Sequence, residues 1–186
     1  MIYLEELTNT QRTQPGTMVA GISSKILQIR KESIKESLSD LNTIGHRQAY
    51  VGTVDGVMYY DDSRAENVNA TWFTFENIVK PVIWIAGGEM CPSDFKDLKR
   101  VAKKKVKALV CIGNDNAGLK KAFQRDIKDI YSASSLEEAV KMASLIAVED
   151  DVVLFSPACT SSDETYIERG NLFTETVKQL ENEHRQ

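Results

Sequence analysis

The chain reads as an α/β protein: a Rossmann-like, mostly parallel sheet flanked by helices, with an N-terminal helical hairpin before it. Three observations predict this. The runs PVIWIAGG (81–88), ALVCIGND (108–115) and DVVLFSPA (151–158) are apolar without the strict alternation of a half-solvated strand. Segments of helical period separate them. Each run ends in small or polar residues, as a strand does when it enters a loop.

The elements follow in order. Residues 1–16 are polar and weakly patterned, and Pro15-Gly16 breaks the chain. Met18, Val19, Ile22, Ile26, Leu27 and Ile29 give Thr17–Ile29 a helical period. Ile34, Leu38 and Leu41 predict a second short helix over residues 31–41. This hairpin is too small for a core of its own, so the boundary is placed at 1–44 and 45–186.

After Gly45-His46-Arg47 the period changes. Residues 48–60 predict two strands around an Asp55-Gly56 turn, a hairpin signal. The second strand meets Asp61-Asp62-Ser63, and any of these is expected to cap a helix over 66–78. Helices are expected over 93–104 and 116–124, and a short strand near Ile127–Tyr131. Ser134-Ser135 with Glu137-Glu138 predicts a capped helix over 135–147. RGNLFTETVKQLENEHR forms the last helix.

Composition narrows the function classes. The chain has 186 residues, 42% hydrophobic and 27% charged, with a formal net charge of −4, which argues against a nucleic-acid partner. The basic cluster Lys99-Arg100, Lys103-Lys104-Lys105 and Lys107 is expected to be the solvated end of a helix. No run approaches the roughly 20 apolar residues of a membrane span. The first ten residues, MIYLEELTNT, do not resemble a secretory leader. The cysteines, Cys91, Cys111 and Cys159, are odd in number and lack metal-type spacing. A cytoplasmic protein with reduced thiols is expected, and Cys159 reads as a packed thiol without a histidine partner.

In such a sheet ligands bind outside the carboxyl ends of the strands. Asp61–Asn67, Gly87–Pro92, Gly113–Asn116 and Ser156–Asp163 are expected to converge there. The last is rich in hydroxyls and suits a carboxylate or a phosphate. Neither GxGxxG nor GxxxxGK[ST] occurs, so no phosphate loop is expected in this chain.

Taken together the segments resemble something specific. The order is His46-Arg47, Asp62-Ser63-Arg64-Ala65-x-Asn67, Gly87-Gly88, Ser156-Pro157-Ala158-Cys159-x-Ser161 and Glu168-Arg169-Gly170-Asn171-x-Phe173. It resembles the C-terminal domain of the Mur ligases, in particular the branch that adds D-glutamate in peptidoglycan synthesis, over residues 17–183. The resemblance implies ATP-dependent amide formation: a substrate carboxylate is phosphorylated, and the incoming amine attacks the acyl phosphate. It implies ATP and magnesium as cofactors of the complete enzyme, and D-glutamate and UDP-N-acetylmuramoyl-L-alanine as substrates. It implies that Arg47, Asp62 and Arg64 face the nucleotide. Glu66, Asn67, Cys91, Ser161, Ser162 and Tyr166 would line the substrate side.

The sequence also departs from that pattern. Residues 17–41 match only the tail of the family's central ATP-binding domain, and nothing here corresponds to its sugar-binding domain. The adenine-side His-Asn would fall near Arg12-Thr13. The lysine usual after Asp-Ser is Arg64, which keeps the charge and changes the geometry. The threonine expected next is Glu66, and an acid there is expected to repel a glutamate. A lysine expected after Gly-Gly aligns with Cys91. Two functional readings follow. One is the amino-acid-binding domain of such a ligase, not competent alone. The other is a degenerate, non-catalytic domain acting as a binding or interaction module, with a protein partner or self-association at its exposed interdomain face.

Overall fold

A computed structural model describes residues 25, 28–29, 45–92, 94–113, 116–161 and 165–184. The chain divides into two compact units, Met1–Ser39 and Asp40–Gln186. Of the expected helical hairpin, Lys25, Gln28 and Ile29 are helical and the rest lies outside the described residues.

In the second unit β1 (Ala49–Val54) and β2 (Val57–Asp61) form the antiparallel hairpin. Asp55 (φ 48°) and Gly56 (φ 77°) both take positive φ, as the tight turn that matches strand twist requires. Then follow α1 (Val68–Asn77), β3 (Val82–Gly87), α2 (Lys96–Lys105), β4 (Val106–Ile112), α3 (Ala117–Phe123), β5 (Asp129–Ala133), α4 (Leu136–Ile146), β6 (Val152–Phe155) and α5 (Tyr166–His184). The sheet order is β1-β2-β6-β3-β4-β5. All neighbours except β1 and β2 are parallel. The three apolar runs are thus strands of a mostly parallel sheet, as the sequence predicted, and the structure sets them side by side.

Every residue of β3 and β6 is buried, because both sheet faces are covered. On one face Ile83, Ile85, Val110, Val153 and Phe155 pack with Leu136, Val140, Phe173 and Val177 of α4 and α5. On the other, Trp84 meets Phe75 of α1 and Phe123 of α3 edge to face, at centroid distances of 5.1 and 5.2 Å. Period 2 along the strands sends neighbouring side chains into separate cores.

Two terminal details matter. Ser135 caps α4 by accepting from Glu138 N at 3.2 Å, and Glu138 returns to Ser134 N at 2.7 Å, as the sequence suggested. The lysine-rich end of α2 is more than a solvated helix end. Lys105 Nζ donates to the carbonyls of Phe75, Glu76 (3.3 Å) and Ile78 (2.6 Å), the unsatisfied acceptors at the carboxyl end of α1.

Candidate functional site

The chain leaves β3 toward α2, which packs with α1, and leaves β6 toward α5, which packs on β1, β2 and α4. Two adjacent parallel strands whose connections run to opposite faces open a crevice between their carboxyl ends. The loops after β2, β3 and β6 meet at that crevice. Ala158 N donates to Ala65 O at 2.8 Å on the β2 side. On the β3 side Met90 and Thr160 exchange two backbone hydrogen bonds of 3.1 Å. Gly88 permits the second contact, since a Cβ there would lie 2.7 Å from Thr160 O. The β6 loop is therefore held between the other two.

A disulfide between Cys91 and Cys159 closes the same junction, with Cα atoms 4.4 Å apart. This corrects two expectations. Cys159 is not a packed thiol, and the chain's described cysteines are not all reduced. Odd cysteine count and wide spacing concealed a pair 68 residues apart that the parallel pairing of β3 and β6 brings together. Cys111 is the free thiol, buried on β4, and burial pushes its pKa up to about 12.

Asp61, Asp62 and Ser63 do not cap α1. The cap is Asn67, whose side chain accepts from Ala70 N at 2.9 Å. Helix α1 begins later than the pattern suggested, so the acids are free for tertiary contacts. Asp61 accepts from Ser63 N at 2.8 Å and sits 2.6 Å from His46 Nδ1. Asp62 is fully buried. It accepts from Thr74 Oγ1 (2.6 Å), Ser156 Oγ (2.8 Å) and Gln48 N (3.3 Å), with Arg47 at 3.6 Å. Burial pushes its pKa up to about 6, against the pull of Arg47 and these donors. Arg47 is itself buried, its guanidinium 5.9 Å from the Phe73 ring and 3.4 Å from Ala70 O. His46 (φ 63°) and Gln48 (φ 45°) flank it in the left-handed region, so the turn that buries Arg47 stores backbone strain.

Of the three residues expected at the nucleotide, Arg64 is the one turned outward. Its guanidinium lies over the Tyr166 ring at 5.0 Å and 3.4 Å from the Tyr166 hydroxyl. Glu66, expected to repel an acidic substrate, is paired instead: Arg169 Nη2 lies 2.5 Å from its carboxylate, so that charge is compensated. Ser161 is half-buried beside the disulfide loop, and Ser162 lies outside the described residues. The structure thus brings Arg64, Glu66 and Tyr166 together and sets Cys91 and Ser161 on the facing loop pair. Asn67 is exposed and used as a cap.

Several residues of the site had no sequence signal beyond their presence in a motif. Arg169 and Ser156 hold the two acids. Gly170 is required by space: a Cβ there would lie 2.5 Å from Ser63 Oγ and 2.6 Å from Asp61 Oδ2, and closer still to His46 Nδ1. The Arg-Gly pair in the last helix was legible as a pattern, but not as the surface on which the β2 loop rests. A separate groove of about 230 Å³, lined by Met58, Tyr60, Thr74, Asn77, Val152 and Leu154 among others, contains no residue of the loop cluster.

Comparison with known proteins gives a consistent result. The family described as Mur ligase, glutamate ligase domain, matches residues 46–159. A UDP-N-acetylmuramoylalanine--D-glutamate ligase of Christiangramia forsetii is 38% identical over 167 residues, covering 89% of this chain and 38% of that protein. The Porphyromonas gingivalis protein of the same name is 39% identical over 167 residues, 37% of its length. The Bacteroides thetaiotaomicron one is 32% identical over 182 residues, 95% of this chain and 40% of its own. The chain therefore spans well under half of these relatives. The crystal structure of UDP-N-acetylmuramate-alanine ligase from Thermotoga maritima shares the fold, with a TM-score of 0.50 at 15% identity over 79% of this chain and 36% of that one.

Proposed function

The chain belongs to the Mur ligase family, and from that premise we propose that it is the amino-acid-binding domain of a D-glutamate-adding ligase that acts with other domains. The observation that carries this reading is the crevice between β3 and β6. There a hydroxyl-rich loop is pinned between two others, and a half-exposed arginine stands over a tyrosine beside it. Such a site suits a small carboxylate at the hydroxyl-rich loop and a phosphate at the arginine.

Bound ATP would supply the phosphoryl group that activates a carboxylate of UDP-N-acetylmuramoyl-L-alanine. Arg64 fits a nucleotide phosphate, because it is charged, half-exposed and oriented by Tyr166. Arg47 and Asp62 would stand behind it, fixing the β2 loop. Ser161 would hold a D-glutamate carboxylate and orient its amine toward the activated carbon. The described residues contain no cluster of three His, Cys, Asp or Glu for a metal ion, so magnesium is assigned no ligand among them. Such a protein would work in the cytoplasm.

Calorimetric titration of the folded chain with D-glutamate, ADP-magnesium and UDP-N-acetylmuramoyl-L-alanine tests the reading. Saturable D-glutamate binding that Ser161→Ala abolishes, and nucleotide binding weakened by Arg64→Ala, are expected. The cation expected at position 91 is replaced by a neutral disulfide, which favours the second reading, a non-catalytic interaction module. Silence toward all three ligands would select it.

A further inference from the structure

We propose that Cys91–Cys159 is an exchangeable disulfide that sets the geometry of the crevice loops according to the thiol state of the surroundings. It joins the loops of the two strands that define the crevice, and each cysteine is the chain neighbour of one member of the Met90–Thr160 backbone pair. The two sulfurs are unequal. Cys159 is 0% exposed, whereas Cys91 is only partly buried, between exposed Met90 and half-buried Pro92. A small thiolate can therefore reach the Cys91 sulfur and not that of Cys159.

The exchange balances. The thiolate of a low-molecular-weight thiol attacks Cys91 Sγ, the protein S–S bond breaks, and Cys159 leaves as a thiolate and takes up a proton. A second thiol then displaces Cys91 from the mixed disulfide, giving two protein thiols and one small-molecule disulfide. The reverse sequence re-forms the bond with an oxidised small disulfide as oxidant. Cys111 takes no part, because it is buried on the sheet and is not joined to either.

Once the bond opens, the β3 and β6 loops are held at this point by two backbone hydrogen bonds between Met90 and Thr160, by the Gly87 N to Pro157 O bond below them, and by the Thr160 hydroxyl, which donates to Met90 O at 3.4 Å. The first two lie at the rim, where Met90 is 56% exposed. Reduction should therefore loosen the outer wall of the crevice and leave the sheet intact.

The test needs no bound ligand. The purified chain is equilibrated over a series of reduced-to-oxidised glutathione ratios, quenched with acid and alkylated in denaturant. The oxidised form should yield one alkylated cysteine, Cys111, and the reduced form three. Any trapped glutathione adduct should map to Cys91. Amide hydrogen exchange at Met90 and Thr160 should quicken by about tenfold or more on reduction, the effect of freeing a two-bond pair, over a period in which β4 amides, which exchange only through global unfolding, stay protected in both states. Cys91→Ser should exchange like reduced protein at every ratio, and Cys91→Ala gives the same readout if serine perturbs folding. Equal exchange in both states, or an adduct on Cys159 instead, would overturn the proposal. A further arm, D-glutamate affinity of the two states, rests on the proposed function, and its failure alone leaves the loop readout standing.

Discussion

Replacing Asp62 by asparagine tests which force governs the site's most buried charge. Two opposing effects act on that carboxyl. Full burial favours the neutral acid, while Arg47 and three hydrogen-bond donors favour the anion. Burial wins, lifting the pKa from the ordinary 3.8 to about 6. A rise of roughly two corresponds to about 3 kcal/mol between the protonation states. The direction of the pH dependence follows from proton binding. Between these two values the folded chain holds a proton that the unfolded chain has released, so stability falls as pH rises. The contribution is fully present below the unfolded value and is lost as pH passes the folded one. The substituted amide cannot titrate, so the advantage of the natural protein over Asp62→Asn should grow as pH falls, by about 2 kcal/mol between about pH 7.5 and about pH 4.5. Urea unfolding at each pH, followed by fluorescence, measures it. Trp84 is a suitable reporter, since it is buried and its indole N–H donates to Ser156 O at 2.7 Å, next to the Asp62 network. An advantage that shrinks with falling pH would mean that Arg47 outweighs burial, and desolvation would not be the governing force.

Three other outcomes are expected. Gly170→Ala drives a methyl group into His46, Ser63 and Asp61, and should cost about 1–3 kcal/mol of stability while shifting the side-chain NMR signals of His46. Lys105→Met keeps the apolar stem and removes the donor to three carbonyls at the end of α1, so thermal unfolding should report a loss of about 1–3 kcal/mol, with faster amide exchange in the last turn of α1. Reducing Cys91–Cys159 opens a loop of 68 residues in the unfolded chain and should lower unfolding stability by up to about 4 kcal/mol, which Cys91→Ser should reproduce without reductant.

The sequence misplaced particular things for particular reasons. It put the start of α1 on the acids because Asp and Ser are good caps; Asn67 serves instead, and Asp62 accepts from residues 12 and 94 positions away. Local capping preference and tertiary hydrogen bonding ask for the same residue types, so pattern alone could not separate them. Glu66 read as a repulsive charge because its partner Arg169 is 103 residues distant. The cysteines read as unpaired because spacing along the chain says nothing about two loops that a parallel sheet brings side by side. The meeting of the loops after β2, β3 and β6 was legible, since ligand sites in this architecture follow from which strands end where; the fourth expected segment, Gly113–Asn116, lies partly outside the described residues.

What the sequence by itself determined is the set of elements and their class. Apolar runs buried on both faces, helical periods between them and an Asp-Gly turn leave little choice but a mostly parallel sheet with one antiparallel edge hairpin. The ordered motifs then tied that sheet to the Mur ligase family. What only the tertiary structure decided is the state of each site residue. It set Arg47 and Asp62 inward, Arg64 outward on Tyr166, Glu66 against Arg169 and Cys91 bonded to Cys159. The physical reason is that burial, charge pairing and covalent cross-linking depend on distances in space, and the strand order β1-β2-β6-β3-β4-β5 sets those distances by placing the last strand of the chain between the second and the third.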